Sequence, residues 1–101
     1  MTRRVRTTVH ADEDIRQIAR WIARDNVRAA EKWIDDIDRA FSKLAKTPGI
    51  GTDRGDLRPK LRSVPFGNYL LFFKSSRQYM TIVRVIHAAR DYAQFLERPK
   101  R

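Results

Sequence analysis

The sequence predicts an α+β domain: an N-terminal strand, a two-helix hairpin, then a three-stranded antiparallel sheet, in the order β-α-α-β-β-β. Three patterns predict it. Apolar residues recur at helical spacing from Ile15 to Leu44, alternate with polar ones along Val5–Val9, and crowd into β-branched and aromatic runs after Pro59. A chain of 101 residues has room for one core, so residues 1–97 are taken as a single domain and 98–101 as a basic tail.

Val5, Thr7 and Val9 alternate with Arg4, Arg6 and Thr8, the period of a half-buried strand, which leaves His10 at its exit. Asp12, Glu13 and Asp14 then stand where a helix dipole favours negative charge. Ile15, Ile18, Ala19 and Ile22 form the apolar stripe of that first helix, with Trp21 on its flank. Asp25-Asn26 breaks the run, and Asn26 is placed to cap a second helix. Its stripe is Ala30, Trp33, Ile34, Ile37, Phe41 and Leu44, ending near Pro48. The segment from Thr47 to Pro59 reads as a loop. Its Gly49-Ile50-Gly51 is no phosphate cradle, because it follows a helix and lacks the Gly-Lys-Ser/Thr ending. Leu61–Phe66 and Asn68–Lys74 flank a tight Gly67-Asn68 turn, and Tyr79–His87 supplies the last long strand. Asp91–Leu96 is assigned a short helix.

Net charge is +10, and its placement is informative. Residues 11–46 carry eight basic and eight acidic groups, so the whole excess lies outside the helical stretch. Such a field draws nucleic acid or an acidic protein. With no cysteine, disulfides and thiolate metal sites are excluded. No segment approaches the roughly 20 apolar residues of a membrane span, and no apolar signal-peptide core follows Arg3-Arg4. The expected location is the cytoplasm.

Strand parity sorts side chains into two faces. Burying an unpaired cation against the helices is costly, so the sets containing Arg4, Arg6, Arg62, Lys74 and Arg84 are assigned to the face away from the hairpin. Val64, Leu70, Phe72, Ile82 and Ile86 fall on the same face. The expectation is an apolar platform rimmed by cations, covered only in part by Tyr92, Phe95 and Leu96. Its complement is an amphipathic, acidic segment of another chain laid along the sheet.

The chain resembles toxins of the ParE type, within the wider RelE/ParE group of toxin–antitoxin systems. The likeness runs through Ile18, Ile22 and Ala29-Ala30, the Leu44…Pro48…Gly51 helix exit, then Leu57, Arg62 and Gly67-Asn68-Tyr69. Its most specific part is the ending Arg84-Val85-Ile86-His87-Ala88-Ala89-Arg90-Asp91, close to the Arg-x-x-His-x-x-Arg-Asp of ParE-like chains. The resemblance implies a helical hairpin on a curved sheet and a cognate ParD-like antitoxin. It implies one of two activities, poisoning of DNA gyrase (ParE-like) or cleavage of ribosome-bound mRNA (RelE-like).

Cleavage of RNA through the 2′-hydroxyl needs a base, an acid and cations for the phosphorane charge. Arg62, Arg84 and His87 are the candidates, with Arg90 or Tyr92 as alternatives to His87, but parity sets His87 opposite Arg84, and His87 is read as a partly buried structural residue. The reading adopted is a noncatalytic inhibitor of gyrase that needs no cofactor, with Arg90, Arg98, Lys100 and Arg101 as target contacts. An mRNA endonuclease is the alternative, and direct nucleic-acid binding is disfavoured as the main function. Asp35, Asp36 and Asp38 read as a solvated helix face without a histidine to complete a metal site. Trp21 and Trp33 read as core or hairpin packing in preference to base-stacking platforms.

Overall fold

Strand β1 (Arg4–Thr7) stops at Thr8 because that side chain turns the backbone into a helix. Thr8 Oγ1 accepts the Ala11 N–H at 3.0 Å, and helix α1 runs Val9–Ala23. Val9 and His10, expected in the strand, therefore form the first turn of α1, and Val9 is 79% exposed. The period-2 pattern was one residue pair too long, because a threonine cap looks like another polar strand position. Asn26 caps helix α2 (Val27–Lys46) as expected, accepting from Ala29 N at 3.1 Å. The computed structural model describes residues 2–47 and 49–96, so Pro48, the side chain of Phe95 and the basic tail lie outside the described residues.

The remaining strands are β2 (Thr52–Asp53), β3 (Arg62–Phe66), β4 (Tyr69–Ser75) and β5 (Tyr79–His87), followed by a short helix α3 (Ala93–Leu96). They build one five-stranded sheet, β1-β5-β4-β3-β2, in which β1 runs parallel to β5 and the other pairs are antiparallel. The α+β class stands, with more strands than the three-stranded expectation. Alternation identifies a strand but not its neighbour, so the β1–β5 pairing was not readable. The two-residue β2 has no pattern of its own. It forms where Gly51, at φ 93°, brings the loop so close to β3 that an added Cβ would sit 2.5 Å from the Ser63 carbonyl oxygen. Gly67, at φ 58°, opens the two-residue β3–β4 turn that the sequence announces.

The sheet is buried on both faces. Towards the hairpin, Ala11, Ile37, Phe41, Leu44 and Ala45 pack on Leu71, Phe73, Met80, Ile82 and Val85. On the far face, Leu61, Phe72, Val83, Ile86 and Leu96 form a second core, flanked by Leu57, Leu70 and Tyr92. A bulge explains why parity failed: Phe72 pairs with Arg84 but Phe73 with Ile82, leaving Val83 as an extra residue. Ile82 thus packs towards the helices, not away from them. Val64 does the same, opposite Leu71 on the hairpin side.

Phe72 and Ile86 do lie on the outer face, but they are buried by their own chain. The turn from Arg54 to Leu61, closed by Arg54 N to Leu61 O at 2.7 Å, lays Leu57 and Leu61 over them. Arg58 Nε donates to the Leu96 carbonyl at 2.7 Å and ties α3 to that turn. Arg54 reaches the Tyr92 hydroxyl at 3.4 Å, its guanidinium 5.1 Å from the ring centroid. The expected open platform is absent. A charged loop that carries two leucines looks polar in sequence, and its apolar side becomes apparent only once folded. No helix among the described residues is long and apolar enough to cross a membrane.

Because Leu96 is fully buried in the outer core, Leu96→Ala should cost about 3 kcal/mol in urea denaturation. A loss below about 1 kcal/mol would show that α3 is not part of the cooperative unit.

Candidate functional site

Strand β5 is longer than its neighbour. β1 pairs with it only from Tyr79 to Ile82, so beyond Ile82 the edge of β5 meets helix α1 instead of a strand. An uncovered edge carries backbone groups that need partners. Thr8 supplies the first, donating its N–H to Ile82 O at 3.0 Å and its hydroxyl to Val83 O at 2.8 Å. Asp14 supplies the next, its Oδ2 accepting the Val85 N–H at 2.9 Å. The same carboxylate takes two bonds from Arg84, Nε at 2.8 Å and Nη2 at 2.9 Å. Both side chains are largely buried, so this is a bidentate, charge-assisted pair screened little by solvent. Arg84, expected on the outer face as an unpaired cation, is in fact paired with α1.

A groove of about 480 Å³ opens beside this pair, between α1 and the end of β5. Asp14, Gln17, Ile18 and Trp21 form one wall, and Tyr69, Arg84, Val85, Ile86, His87 and Arg90 the other. Trp21 is 64% exposed, the largest apolar side chain offered to solvent among the described residues. It is not hairpin packing, which corrects the expectation for it; Trp33 is, lying edge-on to Phe66 and Tyr69 with centroids 6.0 and 5.8 Å away. Tyr69 continues the stack to His87 at 5.3 Å, and burial pushes its phenol pKa up. His87 Nδ1 accepts the Ala89 N–H at 3.1 Å, which leaves Nε2 as the ring position able to carry the proton.

The three nuclease candidates do not assemble. Arg84 and His87 line the same groove, contrary to the parity argument, with Arg84 bonded to Asp14 on α1. Arg62 stands on β3, where Nε donates to Ile50 O at 3.0 Å and Nη2 to Gly49 O and Gly51 O at 3.0 and 2.8 Å. It clamps the loop that approaches β3. Of the other predicted contacts, Arg4 and Arg6 are exposed on β1, Leu70 and Lys74 are half-buried on β4, and Arg90 follows β5 at the groove mouth. Arg98, Lys100 and Arg101 lie outside the described residues. Asp36, from the acidic helix face, pairs with Lys32 at 2.6 Å and Arg39 at 3.4 Å.

The chain matches the family described as the ParE toxin of the type II toxin-antitoxin system, parDE, over residues 5–92. It belongs to the ParE toxin family. It is 26% identical over 91 residues to Toxin ParE3 of Caulobacter vibrioides, covering 89% of this chain and 91% of that one. Toxin ParE1 of Mycobacterium tuberculosis is 29% identical over 66 residues, 64% of this chain and 67% of the relative. Among solved structures, the fold is similar to a chain from the chromosomal ParDE TA system of P. aeruginosa, with a TM-score of 0.70 at 18% identity, covering 85% of this chain and 96% of that one.

Within this ParE-family chain, sequence reasoning missed Asp14 and Trp21. The signal for Trp21 was its offset from the Ile15–Ile18–Ile22 stripe, which turns it from the core. For Asp14 there was none, since its partner Arg84 is 70 residues away. Asp14→Ala leaves a largely buried guanidinium and a strand N–H unpartnered, and should cost about 3–5 kcal/mol in chemical denaturation. The double substitution Asp14→Ala/Arg84→Met should recover part of that loss. Two fully additive effects would refute the coupling.

Proposed function

We propose that this type II toxin inhibits DNA gyrase by binding it, acts in the cytoplasm, and is held inactive by a ParD-like antitoxin. One observation carries the choice of a binding inhibitor over a nuclease. The three candidate residues for RNA cleavage have other work: Arg62 on three loop carbonyls, Arg84 on Asp14, and His87 on Ala89 N–H. Arg62 also sits away from the other two, so no base, acid and cation clamp surround one point. The gyrase target follows from the family resemblance. Arg90 and the tail residues Arg98, Lys100 and Arg101 are assigned to the target contact.

The antitoxin site proposed is the groove between α1 and β5, in place of the covered outer face. A tryptophan left in solvent beside Ile18, in a groove with a cation at its mouth, suits an amphipathic segment that brings apolar anchors and carboxylates. The solved neighbour is named for a ParDE system, which supports a paired antitoxin for this chain.

Purified toxin should block supercoiling by gyrase while leaving transcripts intact in a translating extract. Transcript cuts at the ribosome with normal supercoiling would establish the nuclease instead. Trp21→Ala should weaken antitoxin affinity at least tenfold, in titration calorimetry, without lowering the melting temperature. Unchanged affinity would place the antitoxin elsewhere.

A further inference from the structure

We infer that the cationic cleft at the opposite end of the sheet is a binding site for a nucleic-acid phosphodiester backbone. The cleft encloses about 740 Å³ where the end of β4, the β4–β5 loop, β1 and the tip of the 54–61 turn meet. Five cations line it, namely Arg6, Arg58, Lys60, Lys74 and Arg77, with the hydroxyls of Ser75, Ser76 and Thr81 between them. Among the described residues, no carboxylate lines it.

Two of these cations are already oriented. The Arg6 guanidinium lies 4.0 Å from the centroid of the Tyr79 ring, and its Nε donates to Thr81 Oγ1 at 3.0 Å. Arg58 is held by the Leu96 carbonyl. Lys60, Lys74 and Arg77 have no ion-pair partner among the described residues, whereas Arg16, Lys32 and Arg39 on the helices each have one. Five like charges around one hollow repel one another in the folded state, a cost that a bound polyanion removes.

The lining decides which polyanion. An acidic peptide needs buried apolar anchors to hold its register, and among the described residues Pro59 is the sole apolar one in this wall. A phosphate backbone needs cations and hydroxyl donors, which is what the cleft offers. The ligand class is therefore nucleic acid held through its backbone. This site is independent of the groove beside Trp21 and of the gyrase reading.

The test is fluorescence anisotropy of the full chain with labelled single- and double-stranded 20-mers across 50–200 mM salt. Affinity should fall with salt. Lys60→Ala/Lys74→Ala/Arg77→Ala should reduce the slope of log affinity against log salt by about 2–3 and weaken binding at least tenfold at low salt. A control with equal charge loss on the hairpin, Arg24→Ala/Arg28→Ala/Lys43→Ala, should leave the slope unchanged. Arg77→Ala alone, in an exposed loop, should reduce it by about 0.7–0.9, which guards against a misfolded triple variant. Equal effects of both triples, absence of binding, or tighter binding of polyglutamate than of DNA, lost in the cleft variants, would each overturn the inference. The last outcome would identify an acidic protein as the partner.

Discussion

The carboxylate of Asp14 is the point on which the arrangement of this protein turns. The nine-residue β5 is flanked on one side by a four-residue strand, so half of that edge would face solvent or a stranger. Asp14 closes that edge by accepting from Val85, and Arg84 neutralises the carboxylate in the same act. The pair costs desolvation, and its net contribution to stability against an apolar substitute is small. Its value is directional: it fixes the height and roll of α1 against the sheet. The groove lined by Trp21 and the stack through Tyr69 and His87 are consequences of that position.

A second constraint comes from the sheet being apolar on both sides. The helical hairpin covers one face, and a chain this short has no second hairpin for the other. The solution is economical: a tight turn carrying Leu57 and Leu61, and one turn of helix carrying Leu96. Arg54 and Arg58 fasten the two together through Tyr92 and the Leu96 carbonyl. With both faces closed, two distinct surfaces among the described residues stand at the ends of β5, an aromatic groove at one and a cationic hollow at the other.

Much of this architecture was legible. The helix stripes, the Asn26 cap, the Gly67-Asn68 turn and the last strand all follow from local patterns, and each lies where those patterns put it. The errors have separate origins. Parity assumes an unbroken pleat, and the extra residue Val83 shifts the register in the middle of β5, reversing Ile82. The rule against burying arginine was sound, but it applies to an unpaired arginine. Arg84 had a partner far away along the chain, and no local pattern links the two. The outer layer was underestimated because Leu57 and Leu61 are only two apolar residues in a charged loop, too few to reveal a period.

The order of strands bears on how the molecule comes to exist. β1 is made first, yet its hydrogen-bonding neighbour β5 is nearly the last segment of the domain to be synthesised, with Arg4 opposite Tyr79. The helical hairpin can form early from local contacts, but it has no sheet to rest on until β4 and β5 exist. Closure of so long a loop must come before the β1–β5 contacts reward it. Within this domain the groove beside β5 is therefore among the last features to take shape.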